Sequence, residues 1–162
     1  MIHFGIFCLG AMGHLNTMLP LGHELQRRGH RVTVFSAPKA QSRVESAGFD
    51  FCDIYFQADR TNQQQQSQLK EAGILTNVIN IKRTLKEFAQ QSETRLQKAP
   101  LAIRERSVEA LIVDLSVFEG GTIANYLDLP YVTMCCMLPF YQDPSIPPIP
   151  TTWQYNPEWW AQ

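Results

Sequence analysis

Apolar positions along the chain follow two alternating rhythms. Residues 2–8, IHFGIFC, form a near-continuous apolar run, as a strand does when both faces of its sheet are covered. Leu15, Met18, Leu19, Gly22 and Leu25 then recur at helical spacing, with Glu24, Gln26, Arg27 and Arg28 on the other side. This predicts an amphipathic helix ending near residue 28. Pro20 falls about one turn in, where it is tolerated or kinks the helix, and Gly29 is placed to end it in the left-handed conformation. Residues 31–36 predict a second strand, 38–47 a short helix, and 49–54 a third strand. Residues 59–73, with their run of glutamines, have no period and are expected to form a mobile loop.

A long helix is expected next, on the spacing of Val78, Ile81, Leu85, Phe88, Ser92, Arg95 and Ala99. Pro100 bends or ends it, and residues 101–107 extend it if it is only bent. A fourth strand, 110–113, stops at Asp114; a helix over 119–127 and a turn at 128–130 lead to a fifth strand, 131–135. Strand and helix in this alternation predict an α/β fold: a doubly wound parallel sheet with right-handed crossovers, strand order 3-2-1-4-5.

The 162 residues are one domain's worth of chain, and 44% of them are hydrophobic, enough for one core. Fourteen basic against fifteen acidic residues, with no basic block, give nucleic acid no electrostatic footprint. Cys8, Cys52, Cys135 and Cys136 lie in apolar runs without a C-x-x-C pair. They read as buried reduced thiols in a reducing compartment rather than as a zinc site. No leader-like or bilayer-length apolar segment is present in the sequence, so a cytoplasmic location, extending to the membrane surface, is expected.

The chemistry starts where the first strand meets the first helix, at the turn GAMGHLN of residues 10–16. Such a turn lies at the carboxyl edge of the sheet, where open α/β folds hold ligands. Gly10 and Gly13 permit a sharp bend, and His14 is the turn's one imidazole, the side-chain type most often used to accept or give a proton in catalysis. No glycine occupies 12 or 15 and no acidic residue ends the second strand, so a dinucleotide fingerprint is missing. A Walker loop is excluded because no Gly-Lys-Ser/Thr follows. Asp114 ends the strand that neighbours the first in a 3-2-1-4-5 sheet, so the two residues face each other across the switch point. A carboxylate on one imidazole nitrogen fixes the tautomer and leaves the other nitrogen to accept a proton. That is half of a triad, with a substrate hydroxyl as the missing nucleophile. From the pattern alone, His14 equally fits a packing or capping role at a helix start, and Asp114 a helix N-cap.

These residues carry a resemblance. Gly13-His14-Leu15-Asn16, Leu19-Pro20-Leu21 and the segment 28–35, RGHRVTVF, resemble the start of the UDP-sugar glycosyltransferases of the GT-B fold, the class that includes macrolide and plant secondary-metabolite enzymes. Val113-Asp114, Gly120-Gly121, Leu129-Pro130 and Pro147-Pro148 ahead of Trp153, Tyr155 and Trp159-Trp160 are similar to the carotenoid (zeaxanthin) glucosyltransferase branch. The resemblance implies a Rossmann-like N-terminal half of a GT-B fold with His14 as general base, Asp114 as its support and Gly13 adjacent to the donor. It further implies one inverting displacement on a UDP-sugar co-substrate, with no metal and no other cofactor. The family's second, donor-binding domain has no counterpart in the sequence.

The expected organisation is therefore an acceptor-binding domain over 1–136 and an acceptor loop over 137–162, rich in proline and tryptophan, that begins a helical extension. Phe140 and Trp153 are candidate contacts for an apolar hydroxylated acceptor, whereas Trp159 and Trp160 fit packing on the sheet or on another domain. Two other readings stay open: the acceptor subunit of a split transferase, and a noncatalytic module that binds an apolar ligand.

Overall fold

The computed structural model describes residues 1–54 and 74–137. In chain order these are β1 (His3–Phe7), α1 (Met12–Arg27), β2 (Arg31–Ser36), a 3-10 turn (Pro38–Ala40), α2 (Gln41–Ser46), β3 (Asp50–Asp53), α3 (Ile74–Glu105), β4 (Ala110–Asp114), α4 (Gly120–Tyr126) and β5 (Tyr131–Met134). The strands form one sheet of order β3-β2-β1-β4-β5, every pair parallel. This is the doubly wound α/β sheet expected from the alternation. Residues 59–73, expected to be a loop, and 138–162, including Phe140, Trp153, Trp159 and Trp160, lie outside the described residues.

Side-chain alternation along the strands builds two cores. Phe7, Phe35, Leu111 and Val113 point to the face covered by α3 and α4, where they meet Ala99, Ile103 and Ile123. Ile6, Cys8, Val34 and Ile112 point to the other face, against Leu15, Met18 and Leu19 of α1 and Val44 of α2. Since successive strand residues face opposite ways, Asp114 shares the α1 face with Ile112. That parity decides where its carboxylate goes.

Pro20 is accommodated within α1, and Gly29, at φ +82°, ends that helix in the left-handed conformation. The helix after β4 is held close because Gly120 has no side chain: a Cβ there would lie 2.3 Å from Val113 Cγ1. The structure decides between the alternatives left open at Pro100. α3 continues through Pro100, which is buried, to Glu105. The expected stripe is also not buried throughout, because Leu85 and Phe88 are 62% and 46% exposed whereas Arg95, Ala99, Ala102 and Ile103 are buried. At about 1.5 Å per residue α3 is about 48 Å long, while a five-residue strand spans about 17 Å. The described portion that packs on the sheet is the carboxyl end. Burial of Ala99, Ala102 and Ile103 on both sides of Pro100 offsets the helix bond the proline removes. Among the described residues no helix is long and apolar enough to cross a membrane.

Candidate active site

The β1–α1 connection and the end of β4 meet at the carboxyl edge of the sheet. His14, in the first turn of α1, donates a hydrogen bond from Nδ1 to Oδ2 of Asp114 at 2.5 Å. The contact expected from strand order is made. Asp114 is fully buried and the His14 side chain is 16% exposed. The carboxylate is held from several sides: Oδ1 accepts from the Ser116 backbone N–H at 3.0 Å, and Oδ2 also accepts from Leu9 N–H at 3.5 Å. Its backbone carbonyl takes the Val117 N–H. Asp114 does not cap α4, whose N-cap is Glu119. The alternative helix-cap reading of Asp114 is thereby set aside, and that of His14 likewise, since Ala11 is the N-cap of α1.

An ionised carboxylate accepts only, so the bond from Nδ1–H leaves Nε2 as the basic nitrogen. Among the described residues no hydrogen-bond partner engages Nε2. The thiols nearby are poor competitors for that role. Cys8 is pushed up to about 12, first by burial and further by the charges of Asp114 and Cys136, against a hydrogen bond from Ser36 that lowers it. Cys136 is pushed up to about 11 by burial, then by Asp114 and Cys135. Both stay protonated at neutral pH, and a thiol is a weak nucleophile compared with its thiolate.

The turn itself differs from the expectation drawn from its glycines. The glycines with positive φ among the described residues are Gly29 and Gly48, so neither Gly10 nor Gly13 supplies a left-handed bend. Gly10 instead makes room: a Cβ there would lie 3.1 Å from Lys39 Cε and from Ala37 Cβ. Gly13 lies inside α1, exposed, with nothing within 4 Å of where a Cβ would be. Helix geometry thus takes the chain around the corner, and the small residues keep its surface low.

Sequence reasoning missed several groups that converge here. Lys39, from the turn after β2, lies against Gly10, and Arg43 of α2 donates to Asn16 Oδ1 at 2.5 Å. The 10–16 turn has no cation of its own, and the fold supplies two. An open cavity of about 460 Å³ between α1 and α2 is lined by Leu15, Asn16, Leu19, Pro20, His23 and Arg43 among others, but not by His14 or Asp114. Cys135 is exposed and Cys136 half-buried, contrary to the expectation that all four thiols are buried; Cys8 and Cys52 are buried. β5 is an edge strand with an exposed pattern, so the apolar run around these residues does not imply an interior.

A parallel 3-2-1-4-5 sheet with an imidazole–carboxylate pair at its switch point defines a Rossmann-like ligand-binding domain. Residues 4–103 match the glycosyltransferase family 28 N-terminal domain, and the chain belongs to that family. It is similar to the zeaxanthin glucosyltransferase of Pseudescherichia vulneris, 29% identical over 150 residues that cover 91% of this chain and 34% of that protein. The zeaxanthin glucosyltransferase of Pantoea ananas is 24% identical over 156 residues, covering 91% and 34%. Among solved structures, the glycosyltransferase SnogD from Streptomyces nogalater superposes with a TM-score of 0.62 at 18% identity, over 84% of this chain and 33% of that one. The chain spans about a third of the length of the curated relatives it matches. Its fold is the Rossmann-like N-terminal half of a GT-B fold.

Proposed function

We propose that the chain is the acceptor-binding part of an inverting glycosyltransferase that moves a sugar from a UDP-sugar to a hydroxyl of an apolar acceptor of the carotenoid class. The observation that carries this reading is the buried Asp114 carboxylate on His14 Nδ1. It orients the ring, keeps Nε2 basic, and stabilises the imidazolium once a proton arrives. His14 Nε2 takes the acceptor hydroxyl proton as the oxygen attacks the anomeric carbon. The bond from that carbon to the diphosphate breaks on the opposite face, UDP leaves with the electron pair, and configuration inverts. Gly13, which presents no side chain beside His14, lies next to the donor. The protonated thiols support the assignment, because they leave the imidazole as the local base.

The names of the two relatives support a hydroxylated carotenoid as acceptor. In this reading residues 1–136 form the acceptor domain, and 137–162 bring Phe140 and Trp153 to the acceptor ring system. A donor domain, in further sequence or in a separate chain, supplies the nucleotide site. The test is a fusion of this chain to the donor domain of a zeaxanthin glucosyltransferase. His14→Ala is expected to lower sugar transfer by about two to four orders of magnitude while UDP-glucose binding, read by calorimetry, is retained. Undiminished transfer by that variant removes His14 from the mechanism.

A further inference from the structure

The proposed chemistry leaves one group at the crevice floor unused. Cys136 lies two residues beyond Met134, which pairs in register with Asp114, so period-two alternation keeps Cys136 on the α1 face. His14 arrives at the same carboxylate from α1. One ligand atom each from His14, Asp114 and Cys136, an imidazole nitrogen, a carboxylate oxygen and a thiol sulfur, lie within 4.8 Å of one another. Nitrogen, oxygen and sulfur together form the donor set of a borderline-soft divalent ion. We propose that His14, Asp114 and Cys136 form a binding site for a thiophilic divalent cation of the zinc class, and that its occupancy blocks the His14–Asp114 pair.

The geometry is close to what such an ion requires. Zinc bonds of about 2.0 Å to nitrogen or oxygen and 2.3 Å to sulfur place tetrahedral ligands roughly 3.3–3.6 Å apart. The 2.5 Å contact between His14 Nδ1 and Asp114 must open by about 1 Å, and the longest separations, up to 4.8 Å, must close by about as much. The two ligands that have to move are the two that are partly exposed, whereas Asp114 is fixed by backbone N–H groups from Leu9 and Ser116. Three protein ligands leave a fourth position for water. On binding, the Cys136 thiol proton passes to solvent and the His14 ring proton moves from Nδ1 to Nε2 by exchange with water, so that sulfur, Nδ1 and carboxylate lone pairs take the metal and Nε2 is left protonated. The ion removes the imidazole as a base, so it inhibits rather than assists the proposed transfer.

The site stands on the position of these three side chains and not on the sugar-transfer reading, so the metal is read directly. The reduced, metal-free 162-residue chain is titrated with cadmium chloride while the ultraviolet thiolate-to-cadmium band is followed, with circular dichroism to confirm that each variant is folded. The band is expected to saturate at one cadmium per chain and to be bleached by zinc. It should persist in Cys135→Ser, disappear in Cys136→Ser, and require about tenfold or more cadmium in His14→Ala. Cys136→Ser retaining the band overturns the site, as does a band that follows Cys135 or fails to saturate. If Cys136→Ser does not fold, His14→Ala decides: unchanged cadmium affinity in that variant refutes the proposal.

Discussion

Asp114 presents two oxygens to a closed set of donors, and each donor constrains what a substitution does. His14 Nδ1–H and Leu9 N–H share Oδ2, and Ser116 N–H takes Oδ1. Asn at this position keeps the size and can still accept on one side. On the other it turns an NH₂ toward either the imidazole or a backbone N–H. Facing the imidazole, that NH₂ calls for an acceptor at Nδ1, which moves the ring proton to Nε2 and removes the base. In the fused enzyme Asp114→Asn is therefore expected to cut kcat by about two to four orders of magnitude while acceptor KM changes little. A pure KM effect would instead make Asp114 an acceptor-binding residue. His14 shows why the local pattern was ambiguous: a histidine one turn into a helix looks the same whether it packs or performs chemistry. What distinguishes the two is a partner 100 positions away.

At the scale of elements, one polar cluster joins two helices and a second ties the sheet to the end of α3. The Arg95 Nε of α3 donates to Glu119 Oε1, and Ser92 Oγ donates to Glu119 Oε2 at 3.1 Å, so α3 grips the N-cap residue of α4. At the opposite edge of the sheet, His3 Nδ1 donates to the Arg106 carbonyl after α3, and Nε2 accepts from Thr33 Oγ1 of β2, both at 2.8 Å. Burial, and after it the charge of Arg31, hold the His3 imidazole below its ordinary value. The unfolded chain therefore takes up this proton more readily than the folded one. The stability that neutral His3 contributes is fully present above about pH 6.5 and is lost as pH falls through the folded value. Urea midpoints measured at pH 7.5 and pH 5 should fall for the natural chain, and His3→Gln should show a smaller fall. Equal pH dependence in both would assign the effect elsewhere.

For the whole molecule, the proposed reading makes the described surface one half of a transfer site. The imidazole and its carboxylate sit at the sheet edge, with Lys39 and Arg43 nearby as cations. A displacement at an anomeric carbon needs the leaving diphosphate held and its charge offset by a site organised for it. It also needs both reactants oriented, a contribution of several orders of magnitude. Two cations at one edge do not amount to that site. The 162-residue chain alone is therefore expected to bind a hydroxylated carotenoid, seen as quenching of its tryptophan fluorescence, and to form no product with UDP-sugars by mass spectrometry. Multiple turnovers that depend on His14 would show that a donor domain is dispensable.

The order of elements, the parallel sheet and the two edge residues were legible in the sequence because each rests on local periodicity or on the end of an apolar run. The run 110–113 stopping at Asp114 and the glycine-containing turn before His14 are signals of that kind, and strand order turns them into neighbours. Three things only the folded chain decided. Pro100 stays inside α3 because tertiary burial on both sides outweighs a local breaker. Leu85 and Phe88 stay exposed because the helix is longer than the sheet beneath it. Cys136, Lys39 and Arg43 reach the His14 turn from just after β5, the 3-10 turn and α2, at sequence distances over which no periodicity carries information. A pattern of apolar positions determines which face of an element is buried. Which polar side chains then meet at an edge depends on register and strand parity, which arise only when the strands pair.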